Sequence, residues 1–449
     1  MASLIELQAR PLQDLLGLRL PPSELQRWQR SIESASARIR RDLGLRADPL
    51  ATSLRGQTLE LRASGISGML GVRNLTIQIA PKFASGDPTV SMWPGSVLNM
   101  VAVARRRDLT YSRVHTLAGG AAHFLDHVAL AYADALERGL RRGAIQTYQP
   151  QETASLHLRG TLLVHRQLET ILTNPRILHC RTSELDADNV FNQVLHWAGA
   201  ALLRHTVDAS VRRALRITLS KLPPVSDVPS RLLHIPRVLP RQHAHYKEAF
   251  DIAMTLARGQ GYRHEAGPQP GYGYILNMER IFEGFVDNSL RSAVSSRGGD
   301  GWVCLAQQSK TFAVAASASC RNYGTRPDNE VKINGELALL IDAKYKTVSP
   351  VGRSRVERPE NTDLYQLFAS LTAHGCRRGL MVHPIAPGQA HESDPALRVW
   401  RVAHGRAMSF VIATMGLDVS DLTTRSRLRR AQQDLLVGVD AVLEWPLEA

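Results

Sequence analysis

Apolar and polar positions alternate in two ways along this chain, and the change of period marks its elements. Gln57-Thr58-Leu59-Glu60-Leu61-Arg62 and Leu75-Thr76-Ile77-Gln78-Ile79 alternate residue by residue, as half-buried strands do. Pro22 to Leu43 reads as a polar amphipathic helix, and residues 95–143, rich in Ala, Leu and Val, read as helices. Residues 186–216 form a further helical stretch, with Phe191, Leu195, Leu202 and Leu203 at helical spacing. Lys221-Leu222-Pro223-Pro224-Val225-Ser226-Asp227-Val228-Pro229 then breaks the pattern, and its prolines mark a linker or loop with a soft boundary. Tyr246 to Arg258 is helical again, and Gly259 to Tyr274 is a Gly- and Pro-rich loop. Met278 to Leu290 is an amphipathic helix with Ile281, Phe282, Phe285 and Val286 on its apolar side.

Length and charge bound what such a chain does. Its 449 residues suffice for two or three domains with cores of their own. A formal charge of +14 favours a polyanionic partner, because Lys and Arg release counterions from phosphates. Arginines recur at 105–107, 138–142, 212–213 and 425–430, where each run equally fits a solvated helix face. The four cysteines (Cys180, Cys304, Cys320, Cys376) form no C-x-x-C pair. Zinc and disulfide frameworks are therefore not expected, and reduced thiols in the cytoplasm are. No apolar stretch approaches the ~20 residues of a membrane span, and the N-terminus has no signal-peptide pattern. His374, His383 and His391 lack metal-type spacing and read as structural. There is no G-x-x-x-x-G-K-[ST], so a nucleotide triphosphate would have to be hydrolysed by another subunit.

One stretch combines residue types and spacing into a chemistry. Arg326-Pro327-Asp328 is followed by Asn334-Gly335 and then Glu336-Leu337-Ala338-Leu339-Leu340-Ile341-Asp342-Ala343-Lys344-Tyr345-Lys346. Asn-Gly between β-prone runs is a strong hairpin signal, because both turn positions need φ > 0. Asp342 and Lys344 are two apart in a strand and share one face. Burying them is costly unless they hold something. Metal-assisted phosphodiester cleavage asks for such groups: carboxylates for a hard cation and a lysine for the developing charge. An Asp-x-Lys alone also fits a salt bridge at a strand end. An ideal two-residue hairpin places Asp328 opposite Ile341, on the wrong face for Asp342. The site thus requires a bulge, or a break at Pro327.

These strings, with Asp363-Leu364-Tyr365-Gln366-Leu367, resemble the PD-(D/E)xK nuclease motif and, in order and spacing, the McrC family. McrC is the nuclease subunit of McrBC modification-dependent restriction systems. Gly71-Val72-Arg73, Ile77-Gln78-Ile79-Ala80-Pro81-Lys82-Phe83, Leu158-Arg159-Gly160, Asn192 opening an apolar helix, and Met278-Glu279-Arg280-Ile281-Phe282-Glu283-Gly284-Phe285-Val286 also resemble that family. Asn329-Glu330 stands where an apolar pair is usual, and His383-Pro384 where Tyr-Pro is common.

The resemblance implies an α/β (α+β) fold. A restriction-endonuclease-like domain over 235–449, a central mixed sheet flanked by helices, would follow an N-terminal partner-docking region over 1–230. That region would be β-containing over 1–90 and helical over 95–216. A chain from about residue 235 onward would then keep the nuclease fold. Asp328, Asp342, Lys344 and Gln366 are implied as catalytic. Asp328, Asp342, the backbone of Ala343, and Glu283 are implied as ligands of Mg²⁺ or Mn²⁺. A solvated helix glutamate is the alternative for Glu283, and a helix-face hydrogen bond for Gln366. The implied partners are double-stranded DNA, containing modified cytosine, and an AAA+ GTPase of McrB type. Two other classes fit the same residues: a non-catalytic DNA-binding adaptor of an AAA+ motor, and a stand-alone repair nuclease.

Overall fold

The computed structural model describes residues 2–56, 58–84, 92–105, 124–226, 238–260, 273–297, 301–317, 320–346, 359–385, 397–404 and 408–447. Gln57, Arg106, Arg107, residues 227–237 and 261–272, and His391 lie outside these. The chain forms two compact units, one of Met1–His127 with Arg258–Ala449, the other of Val128–Ala257.

The first unit opens with a four-stranded sheet in the order β1 (Ala2–Ile5), β6 (Leu75–Ala80), β5 (Ile66–Val72), β10 (Tyr274–Asn277). A three-stranded sheet of β2 (Arg10–Pro11), β4 (Thr58–Ala63) and β3 (Leu50–Arg55) accompanies it. Helix α1 (Leu12–Leu16) and helix α2 (Pro22–Leu43) cover them. Proline at the first helical position and Gly44 in the left-handed region fix the ends of α2 where the sequence puts them. Its buried stripe, Leu25, Trp28, Ile32 and Ile39, joins Leu59, Leu61, Leu70 and Ile77 of the strands in one core. Helix α3 (Trp93–Ala104) follows.

A six-stranded mixed sheet forms the rest of this unit, in the order β11 (Trp302–Ala306), β14 (Asn329–Ile333), β15 (Glu336–Ala343), β16 (Arg378–Ile385), β18 (Met408–Asp418), β17 (Arg398–His404). β15 and β16 are parallel and are linked through α10 (Asn361–His374), a crossover that parallel neighbours require. α10 lies on one face, where Leu367 and Leu371 meet Leu340, Met381 and Ile412. The other face is covered by α9 (Met278–Ser296) and α11 (Arg425–Glu444). Gly284 lets α9 approach α3, since a Cβ there would stand 3.0 Å from Ala104. A separate ribbon pairs β12 (Lys310–Ala313) with β13 (Tyr323–Thr325).

The second unit starts within α4 (Phe124–Leu140) and ends within α8 (Lys247–Gln260). It holds the sheet β7 (Thr147–Ser155), β9 (Leu178–Asp186), β8 (Thr161–Leu162), with α5 (Val164–Thr170), α6 (Val190–His205) and α7 (Ala209–Leu219). The expected single helical stretch is two helices, because Asp208 caps a new one through the amides of Ser210 and Val211. Asn189, not Asn192, caps α6; the Asn192 side chain instead donates to the carbonyls of Ile145 and Ala187. Several arginines of the basic runs serve inside the fold. Arg138 pairs with Glu248, Arg212 donates to the Thr206 carbonyl, and Arg427 pairs with Asp421.

The division does not follow chain order. The Pro-rich stretch at 221–229, where the sequence suggests a boundary, falls inside the second unit, and the sequence-distant β10 pairs with β5 from Tyr274↔Met69 to Asn277↔Ile66. A chain beginning near residue 235 would leave β10 unpaired and expose the apolar face of Ile275. We therefore expect that truncation to lose cooperative unfolding rather than keep the nuclease fold. Thermal melting followed by circular dichroism checks this, and a sharp transition would refute it.

Candidate active site

The site is built by a hairpin with one residue too many. Asn334 (φ 52°) and Gly335 (φ 86°) make the left-handed pair of a tight turn. Ile333 faces Glu336 and Lys332 faces Leu337, but Val331 faces Leu339 and Asn329 faces Ile341. Ala338 is the extra residue. This bulge moves the register by one, so Asp328, the residue before β14, comes beside Asp342 instead of Ile341. The face reversal that the chemistry needs thus arises inside the hairpin, not at Pro327. Asp328 is fixed there by accepting the Ala343 amide at Oδ2 (2.8 Å), while its own carbonyl accepts the Gln307 amide (2.9 Å).

Leu340, Asp342 and Lys344 alternate on the face of β15 that α10 covers. Lys344 Nζ lies 2.7 Å from Asp342 Oδ2 and donates to Gln366 Oε1 of α10 at 3.2 Å. Asp328, Asp342, Lys344 and Gln366 therefore come together as the sequence suggests. Glu283 stands at the flank: its Oε1 accepts from Gln307 Nε2. Burial pushes the Asp328 carboxyl up to about 8, and the charges of Asp342 and Glu283 add to it. Three acids thus share a poorly hydrated corner with Lys344.

Two carboxyl groups set side by side fit a divalent cation, whose charge would let both ionise. Asp342 is 5% exposed, and its Oδ2 has the lysine at ion-pair distance but no aligned hydrogen bond. Among the described residues no three His, Cys, Asp or Glu side chains converge as a ready cage. Two carboxylates with a backbone carbonyl suit Mg²⁺, which keeps several waters.

Other residues, silent in the sequence, hold this corner in place. Tyr345 points to the opposite face, packs beside Phe282 of α9, and donates from its hydroxyl to Glu6 Oε2 (2.7 Å). Glu6 also accepts the amides of Gly65 (2.6 Å) and Lys82 (3.2 Å), and the Lys82 ammonium sits 3.8 Å from the centre of the Tyr345 ring. Burial raises the Glu6 carboxyl and lowers the Lys82 ammonium to about 8. Lys346 does not reach outward: it bonds Asp363 and Glu360 at the start of α10, and so ties that helix to the end of β15. Both residues of the Asn329-Glu330 departure from the family pattern are paired. Asn329 donates to Asp287 Oδ1 of α9 (2.7 Å), and buried Glu330 faces His374 Nδ1 (2.7 Å). His383 is buried beside Lys344 on the α10 face, and burial lowers it to about 4, which keeps it neutral.

The Asp328 shift has a consequence for stability. A carboxyl raised in the folded state binds a proton that the unfolded chain has already lost, so folding weakens as pH rises from about 3.8 through about 8. Without divalent cation, the melting temperature should fall between pH 6 and pH 8. Asp328→Asn should flatten that slope, and Mg²⁺ should raise the melting temperature more at pH 8 than at pH 6. Differential scanning fluorimetry with and without Mg²⁺ measures both, and parallel pH profiles for the two proteins would refute the assignment.

Comparisons with known proteins bear on the fold and the family. No curated protein matches the chain. Among solved structures, a chain from the half-complex of the tetradecameric assembly of Thermococcus gammatolerans McrB AAA+ hexamers with bound McrC superposes with a TM-score of 0.69. The identity is 17%, and the match covers 98% of this chain and 99% of that one, so the likeness is one of fold. A chain of the T. gammatolerans McrBC complex seen by cryo-electron microscopy aligns at TM-score 0.47 and 18% identity, over 65% of this chain and 87% of that one. Residues 61–384, from β4 to the end of β16, match the family model of the McrBC 5-methylcytosine restriction system component, and the chain belongs to that family.

Proposed function

We propose that this McrBC component is the metal-dependent endonuclease subunit of its complex, cutting double-stranded DNA that contains modified cytosine together with an AAA+ GTPase partner. The observation that carries the reading is the bulge-driven meeting of the buried Asp328 and Asp342 carboxyls beside Lys344.

Asp328, Asp342 and the Ala343 carbonyl would hold Mg²⁺ or Mn²⁺, with Glu283 at the flank. When bound, the ion supplies neutralisation of phosphate charge and acidification of water. Lys344, paired with Asp342, would offer its charge to the phosphate oxygens as they gain negative charge. Gln366 aims that ammonium with its oxygen and has its amide nitrogen left to donate to a phosphate or to the attacking water. The polar anchors beneath, Tyr345 and Lys346, keep Lys344 from swinging away. A DNA-binding adaptor would gain nothing from an acid pair that repels itself, which favours the enzyme over that reading.

The chain has no P-loop signature, so nucleotide hydrolysis would belong to the partner. The T. gammatolerans complex, with McrC bound to McrB AAA+ hexamers, supports such a division. Residues before about 230 would dock on the partner and stimulate its hydrolysis.

Asp342→Ala and Lys344→Ala should each lower DNA cleavage by the assembled complex about 100-fold or more while leaving complex formation intact. Asp328→Asn should do the same, an amide being a poor ligand for a hard cation. Undiminished cutting by Asp342→Ala would remove the assignment. Cleavage should depend on Mg²⁺ or Mn²⁺, and elemental analysis of the purified chain should find no stoichiometric zinc. The isolated chain should cut poorly without the partner and a hydrolysable nucleotide. Rapid cutting by it alone would favour the stand-alone nuclease.

A further inference from the structure

Between β11 and β14 the chain makes an excursion, Gln307 to Arg326, whose described residues are largely exposed. β12 is exposed along its whole length, and β13 is exposed up to half-buried Thr325. Phe312, Val314 and Tyr323 are 50%, 77% and 74% exposed. Large apolar side chains clustered on a bare ribbon mark a contact surface more than a stray exposed residue does. The excursion contains Lys310, Arg321 and Arg326 and no Asp or Glu, although the chain carries 41 acids in 449 residues. The ribbon pairs Thr311 with Gly324 and Ala313 with Tyr323, and the register shifts between them, so Phe312 is a bulged residue whose side chain is re-aimed.

Its root is the active site. The Gln307 backbone, in the left-handed region (φ 49°), donates to the Asp328 carbonyl, and its side chain donates to Glu283. Further out, Lys310 donates to the His374 carbonyl at the end of α10 (3.3 Å). The ribbon is thus braced against the same helix that carries Gln366.

We propose that this ribbon enters the major groove of the duplex being cut, with Phe312 and Tyr323 against base edges and Arg321 and Arg326 on phosphates. This rests on the endonuclease reading. A two-stranded ribbon, its strands about 4.8 Å apart, fits a major groove about 12 Å wide. Cationic side chains complement the backbone, and apolar ones read groove edges. Through Gln307, filling the groove sets the carbonyl and flank of Asp328, so the DNA that seats the ribbon is the DNA placed for cleavage.

The test uses the full chain carrying Asp342→Ala, so that bound DNA survives, and a fluorescein-labelled duplex read by anisotropy across a salt series. Arg321→Ala should bind about 3- to 10-fold more weakly, with a salt slope smaller by about 1. The double variant Phe312→Ala/Tyr323→Ala should bind about 10-fold more weakly with the slope unchanged. Both changes lie on exposed side chains, and unchanged melting curves verify folding. Affinities within twofold of the parent, absence of duplex binding by the parent, or a loss confined to single-stranded DNA would each overturn the proposal. So would retained DNA affinity with lost stimulation of the NTPase, which would assign the ribbon to the protein partner. Cutting by the otherwise unsubstituted complex judges the endonuclease reading separately. A chain that binds through the ribbon but never cuts fails that reading alone.

Discussion

Two carboxyl groups held side by side away from water set the terms for the sheet that carries them. Burial and the charge of Asp342 raise the cost of ionising Asp328, and neither side chain can turn away without losing a fixed partner, the Ala343 amide for Asp328 and Lys344 for Asp342. The arrangement persists only because the strands that carry them cannot slip. A one-residue slip in a sheet turns every side chain to the opposite face. Here Leu339, Leu340 and Ile341 are wholly buried between helices, so the register imposed at Ala338 is locked by the core.

Beyond Ala343 the strand leaves the ladder, and the grip passes to side chains on both faces. Lys346 ties it to α10 on one side, and Tyr345 ties it to Glu6 and Lys82 on the other. Glu6 is buried and accepts three hydrogen bonds, so removing any donor leaves an acid uncompensated in the interior. These contacts help join the first 84 residues and the six-stranded sheet in one compact unit, although 130 residues, Val128–Ala257, are inserted between them. The N-terminal sheet is part of the foundation of the site.

What the sequence made legible follows from how local each signal is. The Asn334-Gly335 turn, the helix from Pro22 to Leu43 and the shared face of Asp342 and Lys344 depend on residues a few positions apart, and each appears where periodicity and turn chemistry put it. The bulge was legible as a necessity but not as a place, because Ala338 looks like any other residue of an apolar run. β7 and β9 escaped notice because their residues are mostly exposed on both faces, which leaves no alternation to read. Glu6, Gln307 and Asp287 carry no local mark. Their roles exist only through partners 339, 24 and 42 residues away.

The positions that depart from the family pattern show how such a site tolerates drift. An asparagine and a glutamate in β14 would be costly at buried positions that favour apolar side chains. Asn329 is offset by Asp287, itself held by Arg291, and Glu330 by His374. Each pair joins β14 to a helix on a different face of the sheet, α9 for one and α10 for the other. An apolar contact between strand and helix has thus been exchanged for a directional one without moving either element. A fold maintained by such local exchanges can keep a TM-score of 0.69 to a relative at 17% identity. The acid pair leaves no room for a similar neutral exchange, since an amide in place of the Asp328 carboxyl would remove the ionisable group whose burial beside Asp342 sets this corner apart.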